Sequence, residues 1–421
     1  MSRYALRTLL LQWTCCAVLA LAGCESSDAP TGEIQRAAPA GDDFGPAHAL
    51  ATPAAPGSAE AHLAASRDGQ VVLSWIEPDG DGNALEFARL DGSAWSAAQL
   101  AQRGTDWVVS AADLPAVEPV TAELWAAHWR VAQREDPYAY DIAFAVSTDA
   151  GRSWGEPQLL NDDATPTEHG FVSVFAWDAD IGVVWLDGRD TASDAVSAVP
   201  LGTSVRFARV AADARVVAQG VVDGLACDCC RTGVVTTPAG LVVAYRDRTP
   251  EEIRDVVVRR RAAAEWSEPM AVGADHWRIE GCPVNGPVIA ARAADVAVAW
   301  FTAPDDRPSV RVAFSRDGGE TFGTALVVDG AAALGQVGVV LLDSGAAVVS
   351  WWRHGATGGA ELAARRVSAA GELGTVRVVA TSPASRPDDV PQMIRARERL
   401  VFAWTELGRP SRVATAYFEL R

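Results

Sequence analysis

The sequence predicts an all-β chain built as a β-propeller of four-stranded blades, and three observations carry that prediction. A short β-branched or apolar run ending in an aromatic recurs at residues 71–75, 124–129, 182–185, 241–245, 296–300, 347–351 and 400–404. The closing aromatics, Trp75, Trp129, Trp185, Tyr245, Trp300, Trp351 and Trp404, are separated by 54, 56, 60, 55, 51 and 53 residues. A period of this length with strand content throughout matches a propeller blade. Finally, an octad of the form S-x-D-x-G-x-x-aromatic occurs at 147–154 and again at 315–322, a separation of 168 residues or three periods.

Within a unit the aromatic-terminated run is the second strand. Residues 140–147 and 310–315 alternate in strand fashion and supply third strands. Each octad is then the turn between third and fourth strands. Its Asp and Ser side chains are expected to bond backbone amides, its Gly to take a conformation costly for other residues, and its aromatic to plug the turn. The structural set is Ser147, Asp149, Gly151 and Trp154, with Ser315, Asp317, Gly319 and Phe322. The last unit stops after its third strand at 412–420, and the segment 44–51 could supply the missing outer strand. That closure would leave few exposed edges. Seven units predict seven blades, with six blades plus an irregular insertion as the alternative.

The domain, 46–421, is preceded by two segments of different character. Arg3 and Arg7 start a basic region, and residues 9–22 are an apolar run too short for a comfortable membrane span. The run ends in Leu21-Ala22-Gly23-Cys24, which resembles a bacterial lipoprotein lipobox. The resemblance implies a signal peptide over 1–23, cleavage before Cys24 and lipidation of Cys24, placing the protein in the bacterial cell envelope on the periplasmic or cell-surface side. Residues 24–45 then form a flexible tether rich in Ser, Ala, Pro, Gly and Asp. Loss of the two leader arginines moves the formal charge from −18 to −20. So acidic a chain is a poor partner for nucleic acid. Its expected partners are the membrane through Cys24, and a glycan, another anionic ligand or an envelope protein.

In a propeller the second strand ends on the face where the inner strand begins, so two sets of residues should converge there. The first follows the aromatic runs: Glu77, Arg130, Asp187, Arg189, Arg246, Asp247, Arg248, Arg353, His354 and Glu406. The second opens the inner strands: Glu168, His169, residues 227–231 with Arg231, residues 281–285 with Asn285, and Arg386 with Asp388. Arginines beside carboxylates in an acidic protein point to an anion-binding pocket. The octads belong to the opposite, scaffolding face.

Cys227, Cys229, Cys230 and Cys282 are the cysteines expected in the domain. An even count in an oxidising compartment makes disulfides the default. Cys229 and Cys282 are 53 residues apart, one repeat, which places both near the start of inner strands in consecutive blades. The alternatives are a thiolate site for Cu(I) or Zn, with Asp228 and His276 near in sequence, or a free reactive thiol. The C-x-C-C order departs from the C-x-x-C pair of structural zinc. No cofactor is otherwise expected.

The octads resemble the Asp-box of sialidases and related propellers. Together with residues 227–231, 245–248 and 281–287 they make the chain similar to bacterial sialidase-like lipoproteins over roughly residues 60–405. That resemblance implies the fold first. For a sialidase it would further imply an arginine clamp on a substrate carboxylate, an Asp acid/base, and a Tyr nucleophile paired with Glu. Arg189, Arg246 or Arg248, and Arg353 could form the clamp, and Asp187 or Asp247 the acid/base. Tyr138, which follows Glu135, is the candidate nucleophile, while the Arg-Ile-Pro motif of sialidases is absent. The expected function is therefore binding at the channel mouth, with an exo-sialidase-like or other carboxylate-based glycoside hydrolase or lyase, a metal-binding envelope protein, and an assembly scaffold as alternatives. The sequence holds no G-x-S-x-G elbow, phosphate loop or H-E-x-x-H motif.

Overall fold

Each of the seven aromatic-terminated runs forms the second strand of an antiparallel sheet of four or five strands: Val71–Asp79, Trp125–Ala132, Asp180–Asp187, Gly240–Arg246, Asp295–Thr302, Ala347–His354 and Arg399–Glu406. The computed structural model describes residues 44–133, 138–192, 202–387 and 389–420. Cys24 with the leader and most of the tether, Glu135 and Asp388 lie outside the described residues. The second strands are buried on both sides, unbroken from 125 to 130 for example, so they carry continuous apolar runs where a half-exposed strand would alternate.

The inner strands Ala59–Ala65, Ala116–Pro119, His169–Trp177, Gly233–Thr237, Val288–Arg292, Ala333–Leu341 and Gln392–Ala396 each pair with their own second strand. The fold is a seven-bladed β-propeller. Its seventh blade takes its outer strand from the chain start, His48–Leu50, which pairs with Arg412–Glu419 in the register His48↔Tyr417, Ala49↔Ala416 and Leu50↔Thr415. Thr415 fixes this closure through its side chain, donating to the Leu50 carbonyl at 2.7 Å and accepting from Trp95 Nε1 at 3.0 Å.

The hydrophobic core lies between blades. Trp185 of blade 3 packs with Ile142 and Phe144 of blade 2, and Trp351 of blade 6 with Val312 and Phe314 of blade 5. Burying an indole or phenol leaves a polar hydrogen that needs an acceptor. Here the acceptor is a carboxylate. Trp75 donates to Glu77 (2.7 Å), Trp185 to Asp187 (2.9 Å), Tyr245 to Asp223 (2.6 Å), Trp300 to Asp275 (2.6 Å) and Trp351 to Asp329 (2.7 Å). Asp223 and Asp329 end the outer strands of the preceding blades and Asp275 lies in the connection that follows the outer strand of blade 4, so three of these bonds latch neighbouring blades together.

The two octads fold alike. Ser147 donates to Asp149 Oδ1 (2.8 Å) and accepts from the Gly151 amide (2.8 Å), while Ser153 gives its amide and hydroxyl to Asp149. Ser315, Asp317, Gly319 and Thr321 repeat this network. Gly151 has a φ of +72°, and a Cβ there would lie 2.9 Å from Phe87 and 3.0 Å from Trp125. Trp154 meets Phe87 edge-on and Phe322 packs between blades 4 and 5, each closing its turn against an interblade core.

Candidate functional site at the channel mouth

The start of an inner strand does meet the end of its second strand. The Gly188 amide bonds the Glu168 carbonyl (2.9 Å) and the Cys227 amide bonds the Arg246 carbonyl (3.0 Å). The two sets of polar residues therefore share one face, but the structure gives several of them other work.

Arg246 is 1 % exposed and donates to the carbonyls of Asn285, Arg254 (2.6 Å) and Phe301 (2.7 Å), with Trp277 4.9 Å from its guanidinium. It is an interblade strut. Arg189 is held by Asp187 (2.7 Å), Asp162 (3.1 Å) and Asp163 (3.2 Å). Asp187, fully buried, accepts from Trp185 and from Arg189, which fits a latch better than a general acid. Arg248 pairs with Glu252 at 2.6 Å, and Arg353 lies 3.8 Å from Asp329 and 3.9 Å from Glu361. Arg189, Arg246 and Arg248 are thus committed to the protein's own carbonyls and carboxylates, whereas Arg353 has only these long contacts and its buried Nε has no hydrogen-bond partner. A planar substrate carboxylate needs convergent, unspent donors.

His169 is buried, its Nδ1 against the Tyr140 carbonyl (3.0 Å) and its Nε2 against Asp163 (3.2 Å). His354 is exposed at the end of its strand. Tyr138 is 70 % exposed, whereas Tyr140 is buried with the Arg130 guanidinium 4.7 Å from its ring centre. Burial pushes the Tyr140 phenol well above its usual range. Asn285 is buried, accepting from the Gln336 amide (2.7 Å) and donating to the Pro283 carbonyl (2.9 Å). It shapes the wall by tying its own loop to the inner strand of blade 6.

The connection between blades 1 and 2 folds over this face. Its Val108 amide bonds the Arg130 carbonyl (3.0 Å), Trp107 lies on Trp129 (5.3 Å between rings), and Asp113 is buried 3.2 Å from Arg130 Nε. A Cβ at position 170 would stand 2.1 Å from Asp113, so Gly170 makes room for that carboxylate. Two cavities border this connection. Below lies the channel, about 560 Å³, lined by Asp113, Arg231, His62, Glu118, His128 and apolar inner-strand residues. His62 and Glu118 are 2.7 Å apart, and burial pushes the His128 imidazole down to about 3. Arg231 is pushed down to about 10 by desolvation. Above lies a mouth cavity of about 350 Å³, lined by Ser110, Cys282, Asn285, Gln336, Trp352 and Arg386 among others. Arg386 is exposed and belongs to no ion pair among the described residues. Trp352 is 1 % exposed, and its Nε1–H has no hydrogen-bond partner.

Two acids near the mouth hold protons unusually well. Glu60, at the start of the first inner strand, is pushed up to about 7 by burial, and Asp247 to about 6 by the same cause. Glu60 carries no such signal in the sequence: by register it occupies the bulge position that Phe171 occupies in blade 3. Asp113 carries no signal there because loop path alone brings it to the mouth, and Trp352 and Gln336 carry none because they sit within strands of blade 6 and read as strand residues.

The four cysteines converge across blades 4 and 5. Cys227 Sγ lies 3.2 Å from Cys230 Sγ and 3.9 Å from Cys229 Sγ, and Cys282 Sγ lies 3.5 Å from Asp228 Oδ1. The register argument from the repeat thus places Cys282 beside the C-x-C-C segment. No pair stands at bonding distance: the four cysteines are unbridged in the structure, and even Cys227 and Cys230, at 3.2 Å, lie beyond the roughly 2.05 Å of a disulfide.

No family model and no curated protein matches the chain. Among solved structures it is similar to a protein of unknown function from Dyadobacter fermentans, at 13 % identity over 92 % of this chain and 98 % of that one, with a TM-score of 0.46. A polysaccharide lyase described as an ulvan lyase matches at 12 % identity over 88 % and 93 %, TM-score 0.48. A Hadza microbial sialidase matches at 14 % identity over 70 % and 63 %, TM-score 0.43. Likenesses this distant leave the chemistry to be argued from the site itself.

Proposed function

We propose that the protein is a lipid-anchored, extracytoplasmic propeller of the sialidase-like, Asp-box kind that binds a carboxylate-bearing glycan or related anion in the mouth cavity. One observation carries the ligand class. Trp75, Trp185, Trp300 and Trp351 each give their indole N–H to a carboxylate, at 2.6–2.9 Å. Trp352 keeps its N–H unpaired, and unlike the also unpaired Trp125, Trp154 and Trp266 it lines a cavity that holds an arginine, Arg386. A ligand carboxylate would supply the acceptor that the other indoles find within the protein, with Arg386 as its counter-charge. Binding is the reading, because three of the candidate clamp arginines, Arg189, Arg246 and Arg248, are engaged within the protein.

Calorimetry with uronate or sialate oligosaccharides against neutral oligosaccharides of equal length tests this. Acidic glycans should bind and neutral ones should not. Arg386→Ala should weaken binding about 10- to 100-fold, the worth of one charge-assisted hydrogen bond. Equal binding of neutral glycans, or an Arg386→Ala variant that binds as wild type, would sink the proposal. The anchor has its own check: fatty-acid labelling should disappear in Cys24→Ser.

A further inference from the structure

A second site adjoins the mouth and does not depend on the glycan reading. Cys227, Cys229 and Cys230 offer three sulfur atoms that all lie within 4.8 Å of one another. Although the C-x-C-C order as a whole is not that of a structural zinc pair, its outer members Cys227 and Cys230 are two residues apart, the spacing at which two thiolates commonly share one ion, with Cys229 inserted between them. A metal bound to thiolates at about 2.3 Å holds its sulfurs roughly 3.8–4.0 Å apart. The 3.9 Å between Cys227 and Cys229 already meets that, and the 3.2 Å between Cys227 and Cys230 needs only a small opening. A disulfide would instead require the nearest pair to contract by more than an ångström.

The surroundings suit an anionic sulfur cluster. Arg254, 3 % exposed, points Nη1 at Cys227 Sγ and at Asp228 Oδ1, both at 3.4 Å, and is itself held by Glu252 at 2.8 Å. Arg246 is buried next to the same segment, with only neutral carbonyls as hydrogen-bond partners. A buried cation without a carboxylate is costly unless other negative charge lies near. We propose that Cys227, Cys229 and Cys230 form a three-sulfur site for one thiophilic d10 cation, copper(I), which accepts trigonal thiolate coordination. Soft thiolates select Cu(I) and zinc over harder ions, and zinc would require a fourth ligand. Cys282 is the residue placed to offer one, since it shares a second cluster with Asp228 and Cys229. Each thiol loses its proton to solvent as the ion binds, and no electron is transferred.

The test is anaerobic loading of the purified protein with Cu(I), then desalting, metal analysis and competition against a chromogenic Cu(I) chelator. One copper per chain should be retained. Cys227→Ser/Cys230→Ser should lose affinity by about 100-fold or more, while Cys282→Ser keeps it. Thermal melting shows whether the double variant folds; if it does not, Cys229→Ser, at a half-buried sulfur, must show the same loss. Failure to retain copper, with a mass two units low from a Cys227–Cys230 disulfide in anaerobically prepared protein, would overturn the site. So would zinc retained in preference to copper and released by Cys282→Ser. Cys227→Ser/Cys230→Ser and Cys229→Ser leave the lining of the mouth cavity untouched, so metal retention and glycan binding fail independently.

Discussion

The two faces of the propeller treat their acids in opposite ways. At the octads, Asp149 stands in water and is nonetheless held down to about 2, first by the Ser153 hydroxyl and amide and then by Ser147; hydrogen bonds likewise hold Asp317 below the usual carboxylate range. At the mouth, Glu60 and Asp247 are half-buried with too few donors, and desolvation raises them to about 7 and about 6. A carboxylate surrounded by donors is finished structure, whatever its exposure. One that lacks them is poised for a proton, a cation or a ligand. The same test separates the arginines: Arg246 has its acceptors and is a strut, Arg386 has none among the described residues and faces a cavity.

The largest expected effect breaks that distinction at its most satisfied point. Arg246→Met should cost about 3–5 kcal/mol, since it strands three buried carbonyls and opens the seam between blades 4 and 5. Arg353→Met, at the corresponding strand end of blade 6, should cost under about 1 kcal/mol because its charges are distant and partly solvated. Paired urea titrations would read the difference, and equal losses would refute the assignment of Arg246 as a strut. Next comes Glu60. Its folded value lies above its unfolded one, so its contribution is fully present below about pH 4.5 and is lost as pH rises through about 7. Glu60→Gln should therefore gain on the order of 2 kcal/mol over wild type at pH 8 and nothing at pH 4. Gly151→Ala follows, at about 2 kcal/mol, because its positive φ and the Phe87 and Trp125 rings both resist a Cβ.

The repeat was legible in the sequence because burial writes itself into residue type. A strand covered on both faces must be apolar, and an aromatic at its end must fill the space between blades, so Trp75 to Trp404 marked all seven second strands. The closure by residues 48–50 was legible for a related reason: the last unit lacked an outer strand. The register of Cys229 and Cys282 carried over too, since the repeat fixes strand starts. What the sequence concealed was the state of each polar group. Arg246 and Arg386 are the same residue type on the same face. Their difference lies in backbone carbonyls from other blades, which leave no mark on side-chain sequence. Asp187 reads as a free acid in the sequence because nothing there shows that Trp185, a core indole two residues away, donates its N–H to it.

The smallest predicted effect tests the opposite face. Asp149→Asn keeps the shape of the octad but makes the acceptor neutral and puts a donor where one oxygen accepts from Ser153. Because its folded value lies below the unfolded one, Asp149 contributes stability that is present above about pH 3.8 and lost as pH falls through about 2. The variant should thus melt a few degrees lower than wild type at pH 7, and the gap should close on acidification. Glu60→Gln behaves differently, matching wild type in acid and exceeding it in base. If both substitutions instead gave pH-independent shifts, the two faces would differ in packing and not in how they hold charge.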